Sequence, residues 1–165
     1  MRGRPLTPEE TALARPVFGA GLDYARVRIV GGAGGNPIAA IAFANGNAAI
    51  TLGRRIHYCD GVDEDLAAAG IEARALLLHE LTHVWQYRRL GMLRFLLRYV
   101  WEFLAVGCRA AAMYRYAPGE TPFATARLEA QAQMIGDYAA AGWRRDAEAV
   151  RLLADNLAGS GLWGL

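Results

Sequence analysis

The sequence predicts an α+β fold: a small N-terminal β-sheet followed by a mainly helical body, with the helix around residue 80 at its centre. Three observations carry this. Residues 24–30, YARVRIV, alternate in the period of a strand, and 38–58 continues as apolar segments punctuated by turn residues. From about residue 72 to about 158 the apolar pattern is helical, interrupted at Gly91 and at Pro118, Gly119 and Pro122. The composition, 54% hydrophobic and 21% charged over 165 residues, belongs to a folded chain long enough to bury a core without staples. One domain over 1–165 is expected, strand-rich over 24–58 and helical over 72–158.

The N-terminal elements follow in order. Thr7 suits a helix N-cap, Pro8 the first helical position and Glu10 the reciprocal place in a capping box. That helix is expected to end near Pro16, which has no N–H to donate. In the strand at 24–30, Val27 and Ile29 fall on one face and Arg26 and Arg28 on the other. GGAGGNP at 31–37 reads as a flexible connection, since it lacks the Lys-Ser/Thr ending of a phosphate loop. Residues 38–58 read as extended segments around an Asn45-Gly46 turn. The stretch 59–70 gathers Asp60, Asp63, Glu64 and Asp65 in an order unlike a calcium-binding EF-hand, so a solvated loop is expected. Cys59 and Cys108 have neither a disulfide framework nor metal-ligand spacing and are expected to be buried thiols.

Four helices are expected after that, over about 72–89, 92–114, 124–141 and 146–158, with an irregular tail from which Trp163 and Leu165 can pack back. The second carries Arg94, Arg98, Glu102 and Arg109 within an arc of roughly 80°, too many charges for a membrane span. This polar stripe is expected to be the helix's solvent-facing edge. The apolar remainder of 92–114 offers a face for a protein partner; a membrane is not an expected partner. The net charge of +2, with 18 basic residues, all arginine and spread along the chain, argues against nucleic acid. No apolar leader follows the basic start, so a cytoplasmic location is expected, with export by a specialised secretion system left open.

The chemistry concentrates at 76–87, LLLHELTHVWQY. Two histidines four apart lie one turn above the other on a helix, so His79 and His83 can converge on one metal ion at about 2.0–2.1 Å. Glu80, about 100° round the helix, can reach a water beside that ion as general base. The same pattern also describes a helix with two core histidines bonded to carbonyls. Two features favour the metal. The flanking leucines, Val84 and Trp85 mark the helix as buried, where unpaired imidazoles are costly, and two of the chain's three histidines are in the motif. A third ligand must come from His57, on a strand, or from a carboxylate on a later helix. Glu129, alone among Leu128, Ala130 and Ala132, is the choice. Gln133 and Asp137 step along the same face and are candidates to orient a ligand histidine.

HELTHVWQ followed by LEAQAQMIGDY resembles the gluzincin branch of the zincin metallopeptidases, with the pattern HExxH…E. It is closer still to small bacterial Vgr-related proteins and to zincin-like domains associated with contractile injection systems. The resemblance covers roughly residues 5–140 and implies a zincin-like fold, Zn²⁺ held by His79, His83 and Glu129, and Glu80 as base. Thermolysin-type members carry an aspartate four residues after the ligand glutamate, where this chain has Gln133. No histidine is left to stabilise an oxyanion except His57, so Tyr87, or a tyrosine at 114 or 116, is the candidate. The expected function is a zinc-dependent metallopeptidase acting on a peptide or protein substrate along a strand edge near 50–58. The alternative is a non-catalytic, zinc-stabilised module accessory to a bacterial secretion or toxin system.

Overall fold

The computed structural model describes residues 3–60 and 65–165. Helix α1, Pro8–Phe18, starts with the expected capping box: Thr7 accepts from the Glu10 amide and Glu10 accepts from the Thr7 amide. Glu10 is fully buried, and its carboxylate also receives Arg4 and the Leu66 amide, tying the N-terminus to the chain beyond the sheet. The helix does not stop at Pro16. Proline's missing N–H falls in the last turn, and Val17 and Phe18 are still helical and buried in the core.

Three short strands follow: β1 (Arg28–Gly31), β2 (Ala49–Leu52) and β3 (Arg55–Tyr58). Their order is β1-β3-β2, with β1 parallel and β2 antiparallel to β3. The central strand buries Ile56, His57 and Tyr58, whereas β2 is an edge. Between β1 and β2 the structure departs from the expected extended run. Pro37–Ala44 is a helix, α2, with Asn36 as N-cap accepting from the Ile38 and Ala39 amides and Pro37 opening the first turn. The parallel β1–β3 pair needs a crossover, and α2 lies in it.

The body is built on α3 (Ile71–Leu90), which ends at Gly91 with φ +77°. Residues 77–87 of α3 are all buried, because α6 (Leu128–Arg144), the edge strand β2, α4 (Met92–Ala105) and α1 pack round it. Small residues let α6 approach closely: a Cβ on Gly136 would stand 3.1 Å from the Ala75 carbonyl oxygen. Helix α7 (Ala147–Leu157), capped by Asp146, covers the far side of α6. In the tail Trp163 packs on Tyr138 and Leu162 is the deeply buried residue, while Leu165 is exposed.

Several expectations change in this part. The helix at 92–114 breaks after Ala105, where Gly107 and Cys108 adopt positive φ, and resumes only as the short α5 (Ala110–Met113). Its polar stripe is divided: Arg94 and Arg109 are exposed, but the middle of the stripe does not face solvent. Arg98 and Glu102 pair at 2.7 Å and turn to the start of α6, where Arg98 donates to Ala126 O and Glu102 accepts from the Leu128 amide. The apolar face is exposed as well. Cys59 and Cys108 are exposed free thiols, not buried ones, as both sit on turns outside the core. Of the acidic stretch, Asp63 and Glu64 lie outside the described residues; Asp65 accepts from Thr7 and from the Ala67 amide. Among the described residues no helix is long and apolar enough to cross a membrane.

Candidate metal centre

Helix α3 presents His79 and His83 on one face, and the first turn of α6 brings Glu129 against them. The three donor atoms form a triangle: His83 Nε2 to Glu129 Oε2 is 3.1 Å, His79 Nε2 to Glu129 Oε2 is 3.3 Å, and the two Nε2 atoms are 3.3 Å apart. A tetrahedral ion with bonds of about 2.0–2.1 Å has ligand–ligand edges of about 3.4 Å, so these atoms match one face of such a tetrahedron. Two imidazoles and a carboxylate are also the donor set that suits zinc. His57 is not in this group; it lies on β3 with Nδ1 3.2 Å from Gly32 O.

All three ligand candidates are buried, and His83 and Glu129 shift each other. Burial opposes the charge on His83, but the Glu129 carboxylate outweighs it and raises the imidazole to about 9. Burial likewise opposes ionisation of Glu129, yet His83 and His79 hold its carboxyl well below the usual carboxylate range. A metal ion would take over the role that the His83 proton plays here, balancing the buried carboxylate.

His83 is fixed by a chain of amides that runs across the α3–α6 interface. Gln131 Nε2 donates to Phe123 O at 2.7 Å, which leaves Gln131 Oε1 to accept from Gln86 Nε2 at 2.9 Å. Gln86 Nε2 also donates to Leu128 O at 3.0 Å. Its Oε1, 2.8 Å from His83 Nδ1, must then accept, so Nδ1 carries a proton; Nε2 faces Glu129, donating to it while His83 is charged and presenting its lone pair once that proton is displaced. Two backbone carbonyls, which can only accept, thus set the tautomer of an imidazole two amides away. Gln133 and Asp137 do not do this work. Gln133 donates to Asp137, and Asp137 accepts from Tyr116, all directed along α6 rather than at a histidine.

Glu80 is held by a residue that sequence reasoning did not single out. The Thr51 hydroxyl, buried on β2, donates to Glu80 Oε2 at 2.7 Å. The edge strand therefore sits directly beside the proposed base. Tyr99 and Tyr114 line the same cavity as the Glu129 carboxylate, and the Tyr114 ring stacks on His79 with centroids 5.9 Å apart. Burial, then Glu129, pushes both phenols up; Tyr87, stacked on Phe95, rises to about 12 for the same reasons. All keep their protons at neutral pH and can donate. The α6 terminus that carries Glu129 is itself anchored by Arg98 and Glu102.

These groups line one cavity of about 350 Å³ whose walls are β2, α2 and α4 and whose floor holds His79, Glu80, His83 and Glu129. Tyr87, Tyr99 and Tyr114 also line it; Tyr116 does not. Of the residues missed from sequence, Gln86 carried a signal, since it lies three positions after His83 on the same helix. Thr51, Tyr99 and Gln131 carried none, because only tertiary packing brings them here.

The eCIS core domain family model matches residues 5–91, which span α1, the sheet and α3 with His79, Glu80 and His83, and stop before Glu129. Among solved structures, the chain is similar to the effector domain of VgrG2b from Pseudomonas aeruginosa, at 26% identity and a TM-score of 0.68, over 95% of this chain and 83% of that one. No curated protein sequence matches. The two matches link the chain to injection-system proteins.

Proposed function

The chain belongs to the eCIS core domain family, and on that premise we propose that it acts as an injection-system effector whose His79, His83 and Glu129 hold Zn²⁺ for hydrolysis of peptide bonds. The observation that carries the reading is the triangle of donor atoms at tetrahedral spacing, with Glu80 on the same cavity floor. When bound, Zn²⁺ supplies Lewis acidity: it lowers the pKa of water towards neutrality and polarises a carbonyl. Glu80 takes the proton of the attacking water and passes it to the leaving amine, with its carboxylate aimed by Thr51. Tyr114 or Tyr99 donates to the carbonyl oxygen as it gains charge, the role for which Tyr87 is the more remote candidate, packed on Phe95. The unpaired side of β2 offers backbone groups to an extended substrate. Export fits the link to injection systems.

The family and the structural relative bear on the injection-system role and name no peptidase, so they support the alternative more directly than the peptidase reading. In that alternative the same metal stabilises an accessory or effector module that does not cut. Its own support is that His57 lies on β3, bonded to Gly32, and supplies no oxyanion-binding imidazole. Glu80→Gln separates the two. Cleavage of an unstructured protein such as casein should fall by about 10²–10⁴-fold while zinc stays bound. Unchanged cleavage would remove Glu80 as base, and no cleavage by the zinc-loaded wild type would leave the non-catalytic module.

A further inference from the structure

Helix α4 is turned with its apolar face outward. Leu93, Leu96, Leu97, Val100, Trp101 and Leu104 are exposed, Leu93 to 70% and Trp101 to 73%, and Phe95 is the one buried residue of the helix. These positions recur at three- and four-residue intervals, the stripe of an amphipathic helix. On α2, across the mouth of the cavity, Ile38 and Ile41 are exposed to 57% and 63%. Among the described residues, nearly all the large apolar side chains that are exposed therefore belong to two helices flanking one opening. A patch of this kind is an interaction surface.

Charge identifies the occupant. Residues 88–115 hold six arginines and one acid, a net +5, while the whole chain is only +2. Arg98 and Glu102 pair with each other towards α6, so Arg88, Arg89, Arg94, Arg109 and Arg115 are the exposed charges around this helix. Arg94 lies about 20° from Trp101 on the helical wheel. At the other end of the stripe, Arg54, Arg55 and Arg88 surround Met92. Exposed leucines and a tryptophan, flanked by arginines that outnumber the nearby exposed acid, Asp23, are the make-up of a helix that lies in the surface of an anionic bilayer. The charges of α4 exclude a membrane span but not a surface contact, because Arg98 and Glu102 turn to the protein and the apolar face is left exposed.

We propose that α4, with Ile38 and Ile41 of α2, docks on an anionic lipid surface, seating the mouth of the candidate metal cavity against the bilayer. The side chains enter the headgroup layer and nothing crosses it. This surface does not depend on hydrolysis, so it can be tested in Glu80→Gln protein as well as in wild type. Sedimentation with vesicles of phosphatidylglycerol and phosphatidylcholine in equal parts should bring the protein down, with at least about tenfold less on phosphatidylcholine alone and less at high salt. Trp101 emission should shift to the blue. The double variant Leu97→Asn/Trp101→Ser, which changes only exposed side chains and no charge, should lose binding with an unchanged circular dichroism spectrum. Trp101→Phe should bind yet lose most of the emission shift. Absence of binding to the anionic vesicles, or undiminished binding by the double variant, overturns the proposal. So does a stable dimer of wild type in lipid-free solution that the double variant dissociates, since the face would then belong to a second copy.

Discussion

Gln86 shows how much of a candidate metal site can depend on a neutral side chain. It accepts from His83 and donates to Leu128 O and Gln131, so removing it frees the imidazole to rotate and strands a buried amide. Gln86→Leu should weaken zinc binding by about 10–100-fold, measured by competition with a chromophoric chelator. The His83–Glu129 pair makes a second prediction at this scale. His83 rises from 6.5 to about 9, so in metal-free protein its contribution to stability is fully present below about 6.5 and is lost as pH rises through about 9. Glu129 is lowered from 4.5, so its contribution is present above about 4.5 and lost as pH falls through its lower folded value. Urea unfolding of metal-free protein should therefore show this pair's stabilisation undiminished between about pH 4.5 and 6.5 and declining towards pH 9. Zinc affinity should run the other way and climb over that range, because binding displaces the His83 proton. A zinc affinity that is flat from pH 6.5 to 9 would contradict the pairing.

Among the elements, the α3–α6 contact carries the site, since it alone brings the histidines to Glu129. Gly136 sets its closeness. Gly136→Val would press a branched side chain against the Ala75 carbonyl, at a cost of roughly 1–3 kcal/mol, and should lower zinc affinity by parting α6 from α3. Calorimetry and metal titration on the same variant check both. This is also the scale at which sequence reading was uneven. The α3 helix was legible because Gly91 stops it and its motif lies in an apolar run. The α2 helix was not: Asn36-Pro37 is a sound N-cap and first-turn pair, but eight apolar residues fit a strand as well as a helix. The orientation of α4 was legible only in part: Arg94 and Arg109 are exposed as a charged stripe suggests, but Arg98 and Glu102 have the start of α6 as their partner.

Across the whole molecule, what the sequence disclosed was what a single helix can display. His79, Glu80 and His83 lie within two turns, and Glu129 stood out as a lone acid among apolar neighbours. What it concealed was convergence: Thr51 from the sheet, Gln131 from α6, and Tyr99 and Tyr114 from two further helical segments meet these residues only in the folded chain. The same convergence sets the candidate metal ligands between the two helices at the centre of the body. The most direct test is the zinc content of protein purified without added metal or chelator, wild type beside Glu80→Gln and Glu129→Ala. The account predicts one zinc per chain in wild type and in Glu80→Gln, and little or none in Glu129→Ala. Stoichiometric zinc in Glu129→Ala, or none in wild type even after reconstitution, would contradict it.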